Sequence, residues 1–469
     1  MLRERLIPLA RAHPALALLV AVGAVVRLAV AIAYEPALFF SDSWAYAELA
    51  ADRGFAFDRP SGYPFAIAIL WLPGRSLLLL TTVQHLAGLA TGILAYALLH
   101  RLGAPRWAAA AAASLVLLDA YAIALEQHVM AESLFTLAAM LAMYLVAGRD
   151  RALVAIAAAG VLLGGAATMR TLGLFVIPPF VLYVLLRSAD RRVVATTVAI
   201  AASAFPLVLY SGVHAAAGDG FRMTQIDGWA LYSRVAGFAD CGGADIPAGT
   251  EGLCQPAGER FPRPSFYGWD VTSPANRLYG ADRPGANDRL RAWARAIVRH
   301  QPREYAEAVG ADFLRFFRPT RDAAEGTRPG NFSEPILLPA PGDGEYRSEF
   351  ADRVRAEELS GYEREIDPPQ SAVRAYLGVI HVPRPLMGLL ALASLAAVTL
   401  TAWRRIRRRP SGHEHTPEVI LMSGAGLLML LAAASVEFQL RYLIPSVPLL
   451  ACGGTLAALD LWRRYSRAP

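Results

Sequence analysis

The chain has 469 residues, of which 55% are hydrophobic and 18% charged, with a formal net charge of +6. This composition is too apolar for a soluble enzyme of this length and too charged for a chain that lies wholly in a membrane. It therefore predicts a membrane body that carries one soluble insertion. The basic side chains are arginines in short clusters between apolar stretches, a pattern that does not indicate nucleic-acid binding.

Apolar runs recur along the chain and predict an all-α polytopic membrane protein with about ten transmembrane helices. The predicted spans are residues 15–34, 77–99, 107–123, 134–147, 153–167, 172–186, 193–213, 385–402, 419–436 and 442–461. An alternative for the first run is a cleaved signal peptide, because its N-terminal flank is basic. The run is long, however, for a signal-peptide core of about 7–15 residues.

The arginine clusters predict the orientation of these spans. They fall in every second loop once ten spans are laid out, and cytoplasmic loops carry the excess of positive charge. Both termini are therefore expected in the cytoplasm, and residues 214–383 outside. Both termini can lie on the same side of the membrane only if the number of spans is even.

The same pattern divides the chain into three parts. Residues 1–213 form an N-terminal transmembrane catalytic module of about seven helices, whose first external loop is 35–76. Residues 214–383 form an extracytoplasmic domain, and residues 384–469 form a C-terminal transmembrane module of about three helices. The extracytoplasmic domain is rich in proline, glycine and charge, so we expect a mixed, loop-rich fold there.

Several local features of the extracytoplasmic domain predict structure. Cys241 and Cys254 lie close in sequence, and an oxidising exterior favours a disulfide between them, with two free thiols as the alternative. Pro302 is expected to begin an amphipathic helix, which lies either on the membrane surface or on the domain's own core. Residues 321–370 are expected to be loops, and Asn331-Phe332-Ser333 matches a glycosylation sequon weakly.

A set of polar side chains lies at the outer ends of the predicted spans. Ionisable groups at membrane depth are costly and usually mark a functional site, although snorkelling anchors and helix-to-helix ion pairs are the alternative. The set comprises Asp42, Tyr46, Arg59 and Tyr63 in the first external loop, Glu126, His128 and Glu132 in the second, Arg170 in the third, Arg384 beside the extracytoplasmic domain, and Arg441 and Tyr442 in the last.

Four short motifs within this set resemble the membrane glycosyltransferases of the GT-C fold. They are Phe40-Ser41-Asp42-Ser43-Trp44-Ala45-Tyr46, Arg59-Pro60-Ser61-Gly62-Tyr63-Pro64, Ala131-Glu132-Ser133-Leu134 and Arg441-Tyr442-Leu443-Ile444-Pro445. The pattern is similar to the bacterial branch that includes protein O-mannosyltransferase-like enzymes and lipid A aminoarabinose transferases. Many members carry a second acid after the first, where this chain has Ser43, so a tightly held metal is not expected.

The resemblance implies transfer of a sugar from a polyprenyl-phosphate carrier to an acceptor hydroxyl, with inversion at the anomeric carbon. It implies Asp42 as general base, which must lie about 2.6–3.2 Å from the hydroxyl. Planar guanidinium groups suit the donor phosphate, so Arg59 and Arg441 are expected to bind it, with Arg170 next.

The resemblance also implies contacts to the substrates. The expected contact residues are Tyr46, Tyr63, Glu132 and Tyr442. Tyr46 and Tyr63 could instead hold the first loop in place. Asp42 and Glu132 are weak candidates for a divalent cation, Mg or Mn. The acceptor stays open among lipid, glycan, protein and metabolite.

Two other classes of protein fit part of the pattern. A transporter or flippase for a lipid-linked or acidic solute fits ten spans, but we find no internal repeat and the insertion lies on one side only. A non-catalytic assembly or receptor protein would use the extracytoplasmic domain as a binding module.

Overall fold

The structure is a computed structural model that describes residues 8, 11–34, 36–39, 42–148, 152–188, 190–218, 220–319, 370–407 and 415–466. The sequon match at Asn331 and the expected loops of residues 321–369 lie outside the described residues. So do several of the arginines used to predict orientation: Arg3, Arg5, Arg149, Arg151, Arg408, Arg409 and Arg467.

The N-terminal part of the chain is a succession of helices joined by short connections. They are α1 (Pro14–Ala33), α2 (Asp42–Asp52), α3 (Gly62–Leu70), α4 (Leu77–Arg101), α5 (Arg106–Leu117), α6 (Ala120–Gln127), α7 (Glu132–Val146), α8 (Leu153–Met169), α9 (Ile177–Arg187) and α10 (Arg192–Ala216). A 3₁₀ turn, Thr171–Phe175, separates α8 from α9.

The rest of the described chain is also helical. The domain predicted at residues 214–383, for which we keep the name extracytoplasmic domain, contains in its described part α11 (Asp227–Ala236), α12 (Pro264–Trp269), α13 (Pro274–Tyr279), α14 (Arg283–His300) and α15 (Pro302–Arg315). The C-terminal part contains α16 (Gln370–Val379), α17 (Arg384–Ile406), α18 (Thr416–Ala434) and α19 (Ser446–Tyr465), with a 3₁₀ turn at Leu440–Leu443 before α19.

The all-α membrane fold class is confirmed. Among the described residues the extended pairing is a single isolated bridge between Leu38 and His128. Helices occupy all ten predicted span positions, but the count of ten spans is not confirmed. Five described helices, α1, α4, α10, α17 and α18, are long and apolar enough to cross a membrane, and α5 with α6 adds a sixth if that bent pair is one span.

The break between α5 and α6 has a clear cause. Their axes differ by 44°, and Asp119 lies at the bend. One of its carboxylate oxygens accepts a hydrogen bond from the backbone N–H of Ala122, at 2.9 Å, which caps α6. The other accepts from the N–H of Val382, at 2.8 Å. The bend is therefore built into the packing of the segment that precedes α17.

Close packing of the helices depends on glycine at several positions. A Cβ at Gly164 in α8 would lie 2.3 Å from the carbonyl oxygen of Ser203 in α10, and one at Gly453 in α19 would lie 2.2 Å from Ser423 Oγ in α18. The same addition at Gly165 meets no described atom within 4 Å. These two helix contacts therefore require glycine at Gly164 and Gly453, whereas Gly165 is not under the same constraint.

A buried ion pair fixes the first helix against the body. The Nε and Nη2 atoms of Arg27 in α1 donate to the two carboxylate oxygens of Glu126 in α6, at 2.7 and 2.8 Å. His85 in α4 also bonds to Glu126, at 2.9 Å. Next to this pair, the backbone of Leu38 exchanges hydrogen bonds with Gln127 and Val129. These contacts therefore fix the position of the segment that leads into α2.

The extracytoplasmic domain has a core of its own and a firm contact with the membrane helices. Trp229 and Trp293 are fully buried in that core, and a disulfide joins Cys241 to Cys254. Helix α15 begins at Pro302 as expected. Tyr305 packs on the domain core, whereas Phe316 just beyond its end packs against the C-terminal helices. The helix therefore joins the domain to the membrane body, which neither expected placement anticipated.

We predict that replacing one partner of the Arg27–Glu126 pair costs stability that a double replacement largely restores. Breaking a buried pair leaves an uncompensated charge and costs about 3–5 kcal/mol, whereas removing both charges is often neutral. Thermal unfolding in detergent should therefore show Glu126→Met and Arg27→Met well below wild type, and the double variant close to it. Arg303→Met, which breaks an exposed pair with Glu307, is the control and should change little. Additive losses in the double variant would contradict the prediction.

Candidate active site

A cavity of about 440 Å³ lies between the first external loop, the start of the turn after α8, the extracytoplasmic domain and the segment before α19. Its volume falls within the range of roughly 300–1,000 Å³ that small-ligand sites occupy. Its charged lining residues are Asp42, Asp58, Arg59, Arg170, Arg283, Glu437 and Arg441. We call it the central cavity.

Asp42 lies at the start of α2 and holds two arginines. Its Oδ1 accepts from Nη1 of Arg59 at 3.2 Å, and its Oδ2 accepts from Nη1 of Arg441 at 2.7 Å. Burial by itself would raise the pKa of Asp42, but the positive charges of Arg441 and Arg59 outweigh it and hold that pKa well below its ordinary value. The carboxylate is therefore ionised at neutral pH.

Arg441 is held by neighbours that the sequence interpretation missed. Its Nε donates to Oε1 of Gln439 at 2.8 Å, and Gln439 in turn donates to Glu437 at 3.4 Å. Ser265 in α12 donates to the other oxygen of Glu437, at 3.0 Å. A series of hydrogen bonds thus connects the extracytoplasmic domain to the guanidinium group of Arg441, which pairs with Asp42.

Arg59 is held by the residue before it. Its Nη2 and Nε donate to the two carboxylate oxygens of Asp58, at 2.6 and 3.1 Å. Its guanidinium also lies 5.7 Å from the ring centroid of Tyr46. Asp58 was missed, although its position next to Arg59 in the sequence is a signal that could have identified it.

Arg170 also lines the central cavity. It follows the end of α8 and donates to Oε1 of Glu132, at the start of α7, at 2.7 Å. Its guanidinium carbon lies 5.3 Å from the ring centroid of Tyr442, and that of Arg441 lies 5.2 Å from the same ring. The ring of Tyr442 therefore lies within cation–π distance of both guanidinium groups.

The structure places some predicted site residues elsewhere. Tyr63 is fully buried; its ring packs edge-on to Tyr46 with centroids 5.0 Å apart, and its hydroxyl donates to Gln84. It supports the first loop and does not line the central cavity. Glu126 pairs with Arg27, and His128 is buried with Nδ1 2.7 Å from the carbonyl oxygen of Ala124.

Two further residues of the predicted set also differ from expectation. Glu132 lies behind Arg170 and lines a smaller apolar cavity between the helices. Arg384 donates to the backbone oxygen of Arg315 and lies outside the central cavity lining.

The residues present do not suit a divalent cation. Both oxygens of Asp42 accept hydrogen bonds from guanidinium groups, and one oxygen of Glu132 accepts from a third, so a metal ion would have to displace arginines to reach these oxygens. Among the described residues, no group of three or more His, Cys, Asp or Glu side chains could hold a metal. We therefore derive no step through a metal.

A family model described as dolichyl-phosphate-mannose-protein mannosyltransferase matches residues 62–209. The match confirms the predicted resemblance to membrane glycosyltransferases of the GT-C fold. No curated protein matches the chain significantly.

Solved structures of the Archaeoglobus fulgidus oligosaccharyltransferase are also similar to the chain. The apo form has 13% identity and a TM-score of 0.43, over 96% of this chain and 52% of that one. The complex with an inhibitory peptide and a dolichol-phosphate has 13% identity and a TM-score of 0.35, over 98% and 52%. The chain thus spans about half the length of these structures.

We predict that Arg59 and Arg441 together bind one oxyanion. Replacing either with Ala should weaken binding of a short-chain prenyl phosphate roughly tenfold or more, since a charged hydrogen bond contributes about 1.5–3 kcal/mol. Lysine should restore only part, because a point charge lacks the planar fork. The double variant should lose less than the sum, because both groups act on one anion.

Calorimetric titration in detergent measures these affinities. Arg384→Ala, outside the cavity lining, is the control and should bind as wild type does. Unchanged affinity in both single variants would place the anion elsewhere.

Proposed function

We propose that this protein transfers a sugar from a polyprenyl-phosphate carrier to an acceptor hydroxyl, on the extracytoplasmic face of the membrane. The observation that carries the proposal is one ionised carboxylate, Asp42, held between two arginines in a cavity beside apolar helices. The matching family is described as dolichyl-phosphate-mannose-protein mannosyltransferase, which supports a donor of this chemical type.

The arginines would bind the phosphate of the donor. The lipid tail of such a donor stays in the membrane, so its phosphate arrives at the outer ends of the helices, where Arg59 and Arg441 lie. When the bond between the anomeric carbon and the phosphate oxygen breaks, negative charge develops on the leaving lipid phosphate. Preorganised guanidinium groups stabilise that charge, and groups of this kind contribute a few kcal/mol.

Asp42 would take the proton of the acceptor hydroxyl. The positive charges of Arg441 and Arg59 keep its pKa low, which makes it a weak base. A donor phosphate that accepts hydrogen bonds from the same arginines would weaken both pairs and let that pKa rise towards its ordinary value. Donor binding would thus make the base stronger when it is needed.

The bond changes then follow. The acceptor oxygen forms a bond to the anomeric carbon while the carbon–oxygen bond to phosphate breaks. The lipid phosphate leaves with the electron pair, and the acceptor proton moves to Asp42. Attack from the side opposite the phosphate inverts the anomeric centre.

We predict that Asp42→Asn abolishes transfer without abolishing donor binding. Loss of a general base costs about 10²–10⁴-fold in turnover. Binding of a short-chain prenyl-phosphate mannose should be equal or tighter, because the variant frees two guanidinium groups from a competing anion. Turnover and affinity are measured on one preparation, by mass spectrometry and calorimetry. A variant that retains turnover would contradict the proposal, and one that moves the donor across vesicles would indicate a flippase.

The proposed orientation is that both termini are cytoplasmic and that residues 214–383 lie outside. We predict that cysteines introduced at Val271 and at Ile406, both well exposed, label from opposite sides of the membrane. The native cysteines should stay silent, because Cys241 and Cys254 form a disulfide and Cys452 is buried. An impermeant maleimide on intact and on opened cells makes the measurement. Labelling of both positions from one side would overturn the orientation.

A further inference from the structure

We propose that the wall of the central cavity formed by the extracytoplasmic domain is the acceptor subsite, and that it takes an uncharged, hydroxyl-bearing sugar ring stacked on Trp269. The inference rests on the proposed function, since that reaction defines the acceptor. It adds the chemical class of the acceptor, which the motifs and the comparisons leave open.

The wall is a stack of planar groups. The guanidinium carbon of Arg283 lies 4.0 Å from the ring centroid of Trp229 and 4.8 Å from that of Trp269. Trp229 is buried in the domain core, whereas Trp269 at the end of α12 is 52% exposed and lines the cavity. Arg283 therefore supports Trp269 from a rigid core and leaves indole surface exposed. The apolar C–H face of a sugar ring packs well on such a surface.

Polar groups beside the indole can serve hydroxyls. Nη2 of Arg283 donates to the carbonyl oxygen of Gly268 at 2.9 Å, and Nη1 donates to Asn276. Its Nε is buried and has no hydrogen-bond acceptor among the described residues. The hydroxyl groups of Ser233 and Ser265 belong to residues that line the same cavity. An unused donor and two hydroxyls near a flat apolar face suit a polyhydroxylated ring.

The charge of the cavity argues for a neutral acceptor. Four guanidinium groups, those of Arg59, Arg170, Arg283 and Arg441, line it. Three carboxylates face them: Asp42 and Asp58 in the lining, and Glu132, which is paired with Arg170. Burial raises the pKa of the fourth carboxyl, Glu437, and leaving that carboxyl out of the count gives the upper limit of the net charge. The net charge of these side chains is therefore at most about one positive charge. The single negative charge of a donor phosphodiester would neutralise it.

One loop connects the proposed acceptor subsite to the arginine that is proposed to bind the donor phosphate. The guanidinium of Arg283 lies 5.7 Å from the ring centroid of Phe57, and the residues that follow Phe57 are Asp58 and Arg59. The backbone oxygen of Phe57 accepts a hydrogen bond from the N–H of Gln225 in the extracytoplasmic domain. The first external loop therefore holds the aromatic wall and the phosphate-binding arginine in one unit.

Saturation-transfer NMR on the purified full chain in detergent tests the inference. The probes are methyl α-mannopyranoside and methyl β-glucopyranoside, with mannose 6-phosphate and an uncharged serine-containing hexapeptide as comparators. At least one neutral glycoside should receive saturation from the wild type. Trp269→Ala should weaken its binding roughly tenfold, as loss of a stacked ring costs about that factor, and Trp269→Phe should restore most of it. Trp269→Leu, which keeps apolar bulk without a flat ring, gives the same test if the alanine variant does not fold.

Phe221→Ala removes an aromatic residue of similar exposure in the same domain but outside the cavity lining, and should bind as wild type does. Saturation that survives both Trp269→Ala and Trp269→Leu would overturn the inference. So would preference for the phosphorylated sugar or the peptide, or no transfer from any glycoside. Binding of prenyl phosphate, measured in parallel, should be unaffected by Trp269→Ala. Failure of the wild type to bind prenyl phosphate would count against the proposed function rather than against this subsite.

Discussion

The position of one carboxylate between two guanidinium groups is the constraint on which this structure depends. Asp42 and Arg441 are 399 residues apart in sequence, yet they form an ion pair of 2.7 Å. Arg59 reaches the other oxygen of the same carboxylate. In the proposed reaction an incoming donor phosphate would compete with Asp42 for the same hydrogen-bond donors. Binding of the donor and activation of the base would then be one event.

The rest of the fold serves to bring these three side chains together. The Arg27–Glu126 ion pair and the backbone pairing at Leu38 fix the path of the chain into Asp42. On the other side, the chain of hydrogen bonds from Ser265 to Arg441 ties the last loop to the extracytoplasmic domain. That domain is thus part of the site's support, in addition to forming one wall of the cavity.

The sequence indicated the charged residues of the site better than their supporting contacts. Asp42, Arg59 and Arg441 could be predicted because a charge at the end of an apolar run is costly and needs a reason. Tyr63 was expected at the substrate but lies in the core, since a motif gives a residue's neighbours in sequence and not the direction of its side chain. Gln439 was missed because an amide carries no such penalty. Helix positions were predictable from hydropathy. The number of spans was not, because short and buried helices resemble short spans in composition.

The central claim is that the donor phosphate replaces Asp42 as the partner of the arginines. A cryo-electron microscopy structure of the protein with a prenyl-phosphate sugar bound tests it most directly. The account predicts that phosphate oxygens lie within hydrogen-bond distance of both Arg59 and Arg441, and that the distance from Asp42 Oδ2 to Arg441 is longer than the ligand-free 2.7 Å. A phosphate bound elsewhere, with both ion pairs of Asp42 intact, would contradict it.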